Sequence, residues 1–185
     1  MEIPLVRFVL DHASDYDWSL QGFGMLRLYL DDDKRFRLHV WDGRYAVPGV
    51  SVMHDHPWSF LSLVIAGEVK NCRFSLHPHG VGYMRQVIKC GAGGGPVGEP
   101  EVVKMRGDQP EIYGVGDCYS QLANEVHVSV PMDGTVTLIE RIFNDDTEHA
   151  HVFWPEGTEW VSAEPRLATE EEVRKICLGA LEKWF

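Results

Sequence analysis

Histidines spaced two residues apart are the side chains of this sequence best suited to hold a metal ion. Residues i and i+2 of a β-strand project from the same face, so His54 and His56 point one way and Asp55 the other. Two imidazoles on one wall can bind a single divalent ion at nitrogen-to-metal distances of roughly 2.0–2.1 Å. The same spacing recurs in two further pairs, His77 with His79 and His149 with His151.

The flanks of the first pair resemble the first short motif of the cupin superfamily. That motif has a glycine, two histidines around one residue, a glutamate and a second glycine. The residues at these places are Gly49, His54, His56, Phe60 and Gly67, so a phenylalanine stands where the glutamate would be. The His-Asp-His-Pro-Trp segment also resembles a group of cupin-like proteins of unknown function.

A later segment resembles the second cupin motif, which has glycine, proline, glycine, histidine and asparagine at fixed offsets. The residues here are Gly116, Leu122, Asn124, His127 and Pro131. Asn124 can replace a glycine because asparagine tolerates the left-handed backbone conformation. The resemblance therefore implies a metal pocket formed by His54, His56 and His127, with His127 on a later strand brought opposite the first pair.

The strand pattern extends the resemblance over residues 22–143 and implies an all-β fold. The expected architecture is the cupin double-stranded β-helix, a jelly-roll barrel, closed by a C-terminal α-helix. We expect one domain over residues 1–185, with its barrel core at about 22–162 and its helix at about 169–184. For the two other histidine pairs, a solvated loop is expected at His77 and His79 and an exposed surface at His149 and His151.

Alternating apolar and polar residues predict the individual strands. Residues 22–47 form a predicted hairpin around the three aspartates at 31–33, and residues 54–76 a second one turning at Gly67. Further strands are expected at 121–130 and 135–143. The glycine-rich segment 90–98 is expected to be a mobile loop, as a hairpin extension or a lid. Thr169 and Glu172 form a capping-box pattern ahead of an amphipathic helix.

Three neutral ligands would leave the full double charge on a bound ion, which favours an anionic substrate. Iron held on one face keeps up to three positions open, enough for a bidentate substrate and dioxygen. This all-histidine arrangement resembles thiol dioxygenases, including cysteine dioxygenase. The residues after His127 lack the Ser-x-His-x-Tyr stretch of those enzymes, so a thiol is only one candidate substrate.

The metal and the reaction are open at this stage. Fe(II) is favoured, whereas zinc or nickel would also suit imidazole ligands, and zinc would support a hydrolase or isomerase. A non-catalytic module that binds or senses a small molecule is the alternative from another class. Five further side chains are predicted to contact the small-molecule ligand: Phe60, Ser62, Ser129, Tyr119 and Arg141. For Phe60, core packing is the competing role.

Composition limits the possible partners and surroundings. Seventeen basic and 28 acidic residues give a net charge of −11, which disfavours nucleic acid and anionic membranes. No apolar run is long enough to span a bilayer. The four cysteines are widely spaced and no secretory signal is visible, so we expect reduced thiols in the cytoplasm. Strand edges that need covering favour a homodimer.

Overall fold

The polypeptide forms two antiparallel sheets with helices on one side. The computed structural model describes residues 3–90, 95–142 and 149–185. Within these ranges the helices are α1 (Pro4–Asp11) and α2 (Glu170–Trp184), with a 3-10 turn at Ala13–Asp15. The strands are β1 (Ser19–Gln21), β2 (Phe23–Tyr29), β3 (Phe36–Ala46), β4 (Met53–His54), β5 (Ser59–Ala66), β6 (Val69–Lys89), β7 (Pro96–Gly107), β8 (Glu111–Tyr113), β9 (Cys118–Gln121), β10 (Val126–Pro131), β11 (Val136–Ile142), β12 (His149–Pro155) and β13 (Arg166–Leu167).

The strands divide between the sheets without following chain order. The larger sheet has the order β13-β1-β2-β3-β11-β5-β9, and the other has the path β10-β4-β12-β6-β7, with β8 also paired to β6. The chain crosses between the sheets repeatedly, so neighbouring strands in space are often distant in sequence. The mostly-β fold expected from the strand pattern is therefore confirmed.

The long strand β6 organises the smaller sheet. Its first residues, from Val69 to Phe74, pair with β10, and its last residues, from Tyr83 to Lys89, pair with β12. The short strand β4 lies between β10 and β12 and pairs with both. A strand of only two residues is thus fixed in the interior of the sheet, where it cannot shift along its neighbours.

The two faces of the larger sheet have different surroundings. One face packs on the helices and forms the main apolar core, made of Leu26, Leu38, Val40, Val136, Val173, Ile176 and Ala180 among others. The opposite face carries aromatic and polar side chains toward the smaller sheet. There, the Phe23 ring lies 6.0 Å from the His54 ring, and the Phe60 ring lies 5.9 Å from the His127 ring.

The C-terminal helix is confirmed, including its predicted start. The Thr169 hydroxyl accepts a hydrogen bond from the Glu172 N–H at 3.3 Å, while a Glu172 carboxylate oxygen accepts one from the Thr169 N–H at 2.9 Å. This reciprocal pair satisfies two backbone donors that a helix start leaves open. Helix α1 was not predicted, because the sequence patterns indicated no helix or strand before residue 22.

The first predicted hairpin is confirmed and the second is wrong. Strands β2 and β3 pair around the aspartate turn, where Asp31 accepts a hydrogen bond from the Phe36 N–H at 2.7 Å. In contrast, β5 pairs with β9 and β11, whereas β6 belongs to the other sheet. Gly67, at a φ of +79°, turns the chain from one sheet to the other, and a Cβ there would collide with Thr135. In the sequence, a turn at glycine within a hairpin has the same appearance as a turn that connects two sheets.

Two other predictions need correction. Residues 54–65 are not one strand, because residues 55–58 leave the sheet between β4 and β5. His77 and His79 do not lie in a loop but within β6, in a bulge between Leu76 and Val81, which both face Met105. In the glycine-rich segment, residues 91–94 lie outside the described part, and on either side of them β6 and β7 pair as a hairpin.

Neither described helix could cross a lipid bilayer, since both are too short or too polar for that role.

Candidate metal centre

Three histidine rings meet where β4 pairs with β10. His54 on β4 lies directly opposite His127 on β10, so their side chains project from the same face of the smaller sheet. His56 follows two residues later, in the connection to β5. One ligand atom from each ring lies within 4.8 Å of the other two. The predicted set of three is therefore brought together, although His127 is a direct neighbour of His54 and not a residue of an opposite wall.

The separation of two ring nitrogens fits a shared ion. His56 Nε2 lies 3.3 Å from His127 Nε2. Two ligands about 2.1 Å from one ion, at angles of about 90–110°, are roughly 3.0–3.4 Å apart. These two rings thus already have a spacing that a metal ion would require. Among the described residues, no carboxylate or thiol joins the cluster, so the donor set is three neutral imidazoles.

Two of the rings are oriented by hydrogen bonds from their second nitrogen. His54 Nδ1 lies 3.0 Å from the Val52 carbonyl, and His127 Nδ1 lies 3.0 Å from Asn71 Oδ1. Both partners are acceptors, so each Nδ1 carries the proton and donates it. The Nε2 atom of each ring then keeps a free lone pair, which is the form that binds metal.

Asn71 belongs to a buried chain of amides behind His127. Asn71 Nδ2 donates to Gln121 Oε1 at 3.4 Å, and Gln121 Nε2 donates to a Glu125 carboxylate oxygen at 2.7 Å. The Asn71 and Gln121 side chains are both buried, and Glu125 is 3.4 Å from Arg73. All three hydrogen bonds run in the same direction, away from His127. This polarity supports a neutral His127 ring with its proton on Nδ1.

The backbone around His56 is fixed from both sides. The Asn124 N–H donates to the His56 carbonyl at 2.8 Å, and Asn124 has a φ of +59°, so its predicted left-handed conformation is confirmed. On the other side of the segment, buried Asp55 accepts hydrogen bonds from the His151 backbone N–H at 2.6 Å and from His151 Nδ1 at 2.7 Å. Asp55 therefore points away from the cluster, as its parity predicted.

Desolvation keeps the cluster neutral. Burial lowers the pKa of His56 well below its usual range, and the neighbouring His54 and His127 lower it further. Burial does the same to the pKa of His127, and it also lowers the pKa of His54, where the Val52 hydrogen bond opposes the shift. Uncharged imidazoles are ready to coordinate a cation without first losing protons.

Phe60 occupies the position next to the cluster that a glutamate would hold in the cupin motif. Its ring lies 5.4 Å from the His56 ring and 5.9 Å from the His127 ring. It also packs with Val64, Val69 and Ile139 in an apolar cluster between the two sheets. Phe60 thus lies at the site and in the core, and it closes one side of the histidine cluster with apolar surface.

The other predicted ligand-contacting residues lie at different distances from the cluster. The Ser129 hydroxyl donates to Asn71 Oδ1 at 3.1 Å, behind His127. Ser62 and Tyr119 are buried further along the inner face of the larger sheet, and the Tyr119 ring stacks on Tyr113 at 4.4 Å. The Arg141 guanidinium carbon lies 4.5 Å from the centre of the Trp58 ring, which in turn lies 4.4 Å from the His56 ring.

Three residues at the site were missed by the sequence reasoning. Asn71 orients His127, Trp58 contacts His56, and Arg37 lies with its guanidinium carbon 4.4 Å from the Trp58 ring centre. Trp58 could have been found, because it belongs to the same motif segment as His56. Arg37 and Asn71 reach the site only through strand pairing, and no local signal in the sequence marks them.

No protein-family model matches the chain, and no curated protein matches its sequence. The fold and the cluster nevertheless define a class: a sheet-rich protein with antiparallel sheets, a C-terminal helix and a three-histidine cluster. These features are compatible with a cupin.

We expect the three histidines to hold one metal ion together. Replacing His54, His56 or His127 by Ala singly should release most of the metal, because the remaining two ligands leave a vacancy that water fills poorly. His79→Ala and His149→Ala are matched controls on exposed strand positions and should keep full occupancy. Metal per chain is measured by elemental analysis. If the control variants lost the metal while His127→Ala retained it, the assignment of His127 as a ligand would be wrong.

We also expect Asn71 to tune the affinity of the site. Asn71→Leu removes the acceptor for His127 Nδ1–H and should weaken metal binding about 10- to 100-fold. Asn71→Asp keeps an oxygen acceptor there and should retain most of the affinity. Competition with a chelator gives both constants. Gln86→Leu removes another buried amide from β6, one that donates to the carbonyls of Val97 and Gly98, and serves as the control for general destabilisation.

Proposed function

We propose that this chain is a cupin-type metalloenzyme, a non-haem Fe(II) dioxygenase that acts on a small anionic molecule. The observation that carries the proposal is the convergence of three neutral histidine nitrogens without a carboxylate. Two observations support the cupin double-stranded β-helix. The two antiparallel sheets face each other, and the backbone is left-handed at the motif positions Gly49, Gly67, Gly116 and Asn124.

The neutral ligand set accounts for the proposed substrate charge. A divalent ion bound by three imidazoles keeps its two positive charges, which attract an anion. His54, His56 and His127 would hold the iron and leave room beside it for a small substrate. When bound, the iron would supply the redox chemistry for the addition of both atoms of dioxygen to the substrate. Such a reaction needs no external reductant. The protein residues have the task of binding and orienting the substrate.

The side chains around the cluster suit that task. Phe60 and Trp58 border His56 with aromatic rings and exclude water from that side. Arg141 contacts the indole ring of Trp58, and the positive charge of Arg37 acts on His56. His54 and His56 remain partly accessible, so a small molecule can reach the cluster from solvent. Low dielectric and nearby cations both strengthen the attraction for an anion.

We expect the protein purified without oxygen to contain about one Fe(II) per chain and to consume oxygen with a suitable substrate. Elemental analysis gives the metal, and an oxygen electrode measures uptake against panels of thiols, diketones and aromatic acids. His127→Ala should abolish the uptake, whereas His79→Ala should not.

Other outcomes would replace this proposal by another. Zinc or nickel at full occupancy, with no oxygen consumption, would favour the hydrolase or isomerase chemistry that a bound, acidified water supports. Stabilisation by a small molecule in the absence of any metal, with no turnover, would favour a binding or sensing module.

We further propose that the chain works as a homodimer in the cytoplasm. Supporting a reducing compartment, all four cysteines are unpaired thiols. Supporting a dimer, the hairpin of β6 and β7 exposes Leu76, Val81 and Val102, each more than half accessible, and β7 forms an edge of the smaller sheet.

Light scattering at micromolar concentration should therefore give twice the mass of one 21.0 kDa chain. Val102→Lys places a charge on the exposed hairpin and should shift the protein toward the single-chain mass, whereas Val130→Lys, on β10, should not. A wild-type mass near that of one chain would contradict the dimer.

A further inference from the structure

The hydrogen bonds behind His127 link the two sheets. Asn71 lies on β6 of the smaller sheet, and Gln121 lies on β9, the edge strand of the larger sheet. Asn71 Nδ2 is 3.4 Å from Gln121 Oε1, and the two residues are only 1% and 0% exposed, so solvent does not compete for this bond. On its other side, Asn71 Oδ1 lies 3.0 Å from His127 Nδ1. A pair of buried amides from two sheets therefore connects the proposed metal ligand to the end of β9.

Neither partner of the contact between Asn71 and His127 has a direction of its own. A neutral imidazole carries its proton on Nδ1 or on Nε2, and an amide can present its oxygen or its NH2 group. If the Asn71 oxygen faces the ring, His127 donates from Nδ1 and Nε2 keeps its lone pair. If the NH2 group faces the ring, Nδ1 accepts and the proton occupies Nε2. Only the first arrangement leaves Nε2 free to bind a metal.

Gln121 selects the first arrangement. Its Nε2 lies 2.7 Å from a carboxylate oxygen of Glu125 and 3.2 Å from the Glu125 main-chain carbonyl oxygen. An ionised carboxylate and a carbonyl only accept hydrogen bonds, so the NH2 group of Gln121 must face Glu125. The Gln121 oxygen then faces Asn71 and accepts from its NH2 group. The Asn71 oxygen is consequently the atom that remains for His127.

The nearby hydroxyl group does not make this selection. The Ser129 hydroxyl lies 3.1 Å from Asn71 Oδ1 and 3.4 Å from His127 Nδ1. A hydroxyl can donate or accept, so Ser129 can adapt to either orientation of the Asn71 amide. The direction of the chain therefore comes from Gln121 and the acceptors behind it.

The acceptor end of the chain is held in place. The Glu125 carboxylate also accepts from the Leu122 N–H at 3.1 Å and lies 3.4 Å from Arg73 Nε. These contacts belong to the turn between β9 and β10, the strand that carries His127. The carboxylate is thus fixed opposite the Gln121 NH2 group by the same turn that leads into the proposed ligand strand.

We propose that Gln121 is a positioning residue of the histidine centre, which acts through Asn71 to hold His127 as the Nδ1–H tautomer. This role rests on the proposed function only where it concerns the metal, because the tautomer is a property of the metal-free chain. A ring already in this form binds a metal without moving a proton first. Without Gln121, the Asn71 amide is free to turn, and the preference for the binding tautomer is lost.

The test follows the His127 tautomer in the full-length, metal-free chain. Protein with isotopically labelled histidine is stripped with a chelator, and NMR couplings between the ring nitrogens and the carbon-bound ring protons distinguish the two neutral tautomers. Comparison with His127→Ala assigns the signals of this ring. The second readout is the affinity for Zn(II), measured by competition with a chelator, since zinc suits imidazole ligands. The wild type should show the Nδ1–H form.

Gln121→Met removes the amide with little change of volume and should let Asn71 turn. We expect His127 in this variant to populate the Nε2–H form, and the Zn(II) affinity to fall about tenfold, as for other outer partners of metal ligands. Adding Asn71→Asp to Gln121→Met should restore the Nδ1–H form and most of the affinity, because a carboxylate accepts but does not donate. A loss of packing alone would not be repaired by this second change.

The matched control is Gln86→Met, which removes another buried amide from β6 and should change neither readout. An Nε2–H ring in the wild type, or an unchanged tautomer in Gln121→Met, would overturn the proposal. So would a failure of Asn71→Asp to restore the tautomer. If Gln121→Met does not fold, Gln121→Lys keeps a partner for Glu125 but offers Asn71 only a donor, and retention of the Nδ1–H form there would equally overturn it.

The outcome is separate from that of the proposed function. A chain whose His127 tautomer depends on Gln121, but which takes up no iron, keeps this inference about the ring and loses the enzyme. An iron-loaded chain that consumes oxygen, with a tautomer independent of Gln121, does the reverse. If Gln121→Met changed the tautomer but not the Zn(II) affinity, the role of Gln121 at the metal would be wrong.

Discussion

The position of strand β4 is the constraint on which the site depends. β4 contributes only Met53 and His54, yet it pairs with β10 on one side and with β12 on the other. A slip of one residue would turn His54 to the opposite face and separate it from His127. The two residues that follow β4 are also tied, His56 through the Asn124 bond to its carbonyl and Asp55 through its bonds from His151. These backbone contacts hold the three rings close together.

The larger sheet serves two purposes with one set of strands. Along β3, Leu38 and Val40 face the helices, whereas Arg37 and His39 face the histidine cluster. The apolar side supplies the burial that stabilises the fold. The free energy gained there offsets the cost of burying the Arg37 and His39 side chains on the other side. Alternation along a strand thus places structural and chemical roles on opposite faces of the same backbone.

Features marked by a local sequence pattern could be predicted from the sequence, whereas features that depend on the pairing of distant strands could not. His54, His56 and His127 were found because their spacing follows a pattern, and the capping box of α2 because it is local. The hairpin predicted at Gly67 was wrong, because a glycine with positive φ suits a hairpin turn and a connection between two sheets equally well. Asn71 and Arg37 could not be found, because only the pairing of strands distant in the chain brings them near the histidines.

The composition of the smaller sheet also has a consequence for how the chain folds. β4 pairs with strands that begin more than seventy and more than ninety residues later, so the contact order of the site is high. Closing such long loops is entropically costly and delays these pairings until much of the molecule has formed. We expect a metal ion to have little effect on the rate of folding and to slow unfolding instead, which would appear in the unfolding limb of a chevron plot. A metal bound by the three histidines would then lengthen the lifetime of the native state, because it would lower the unfolding rate.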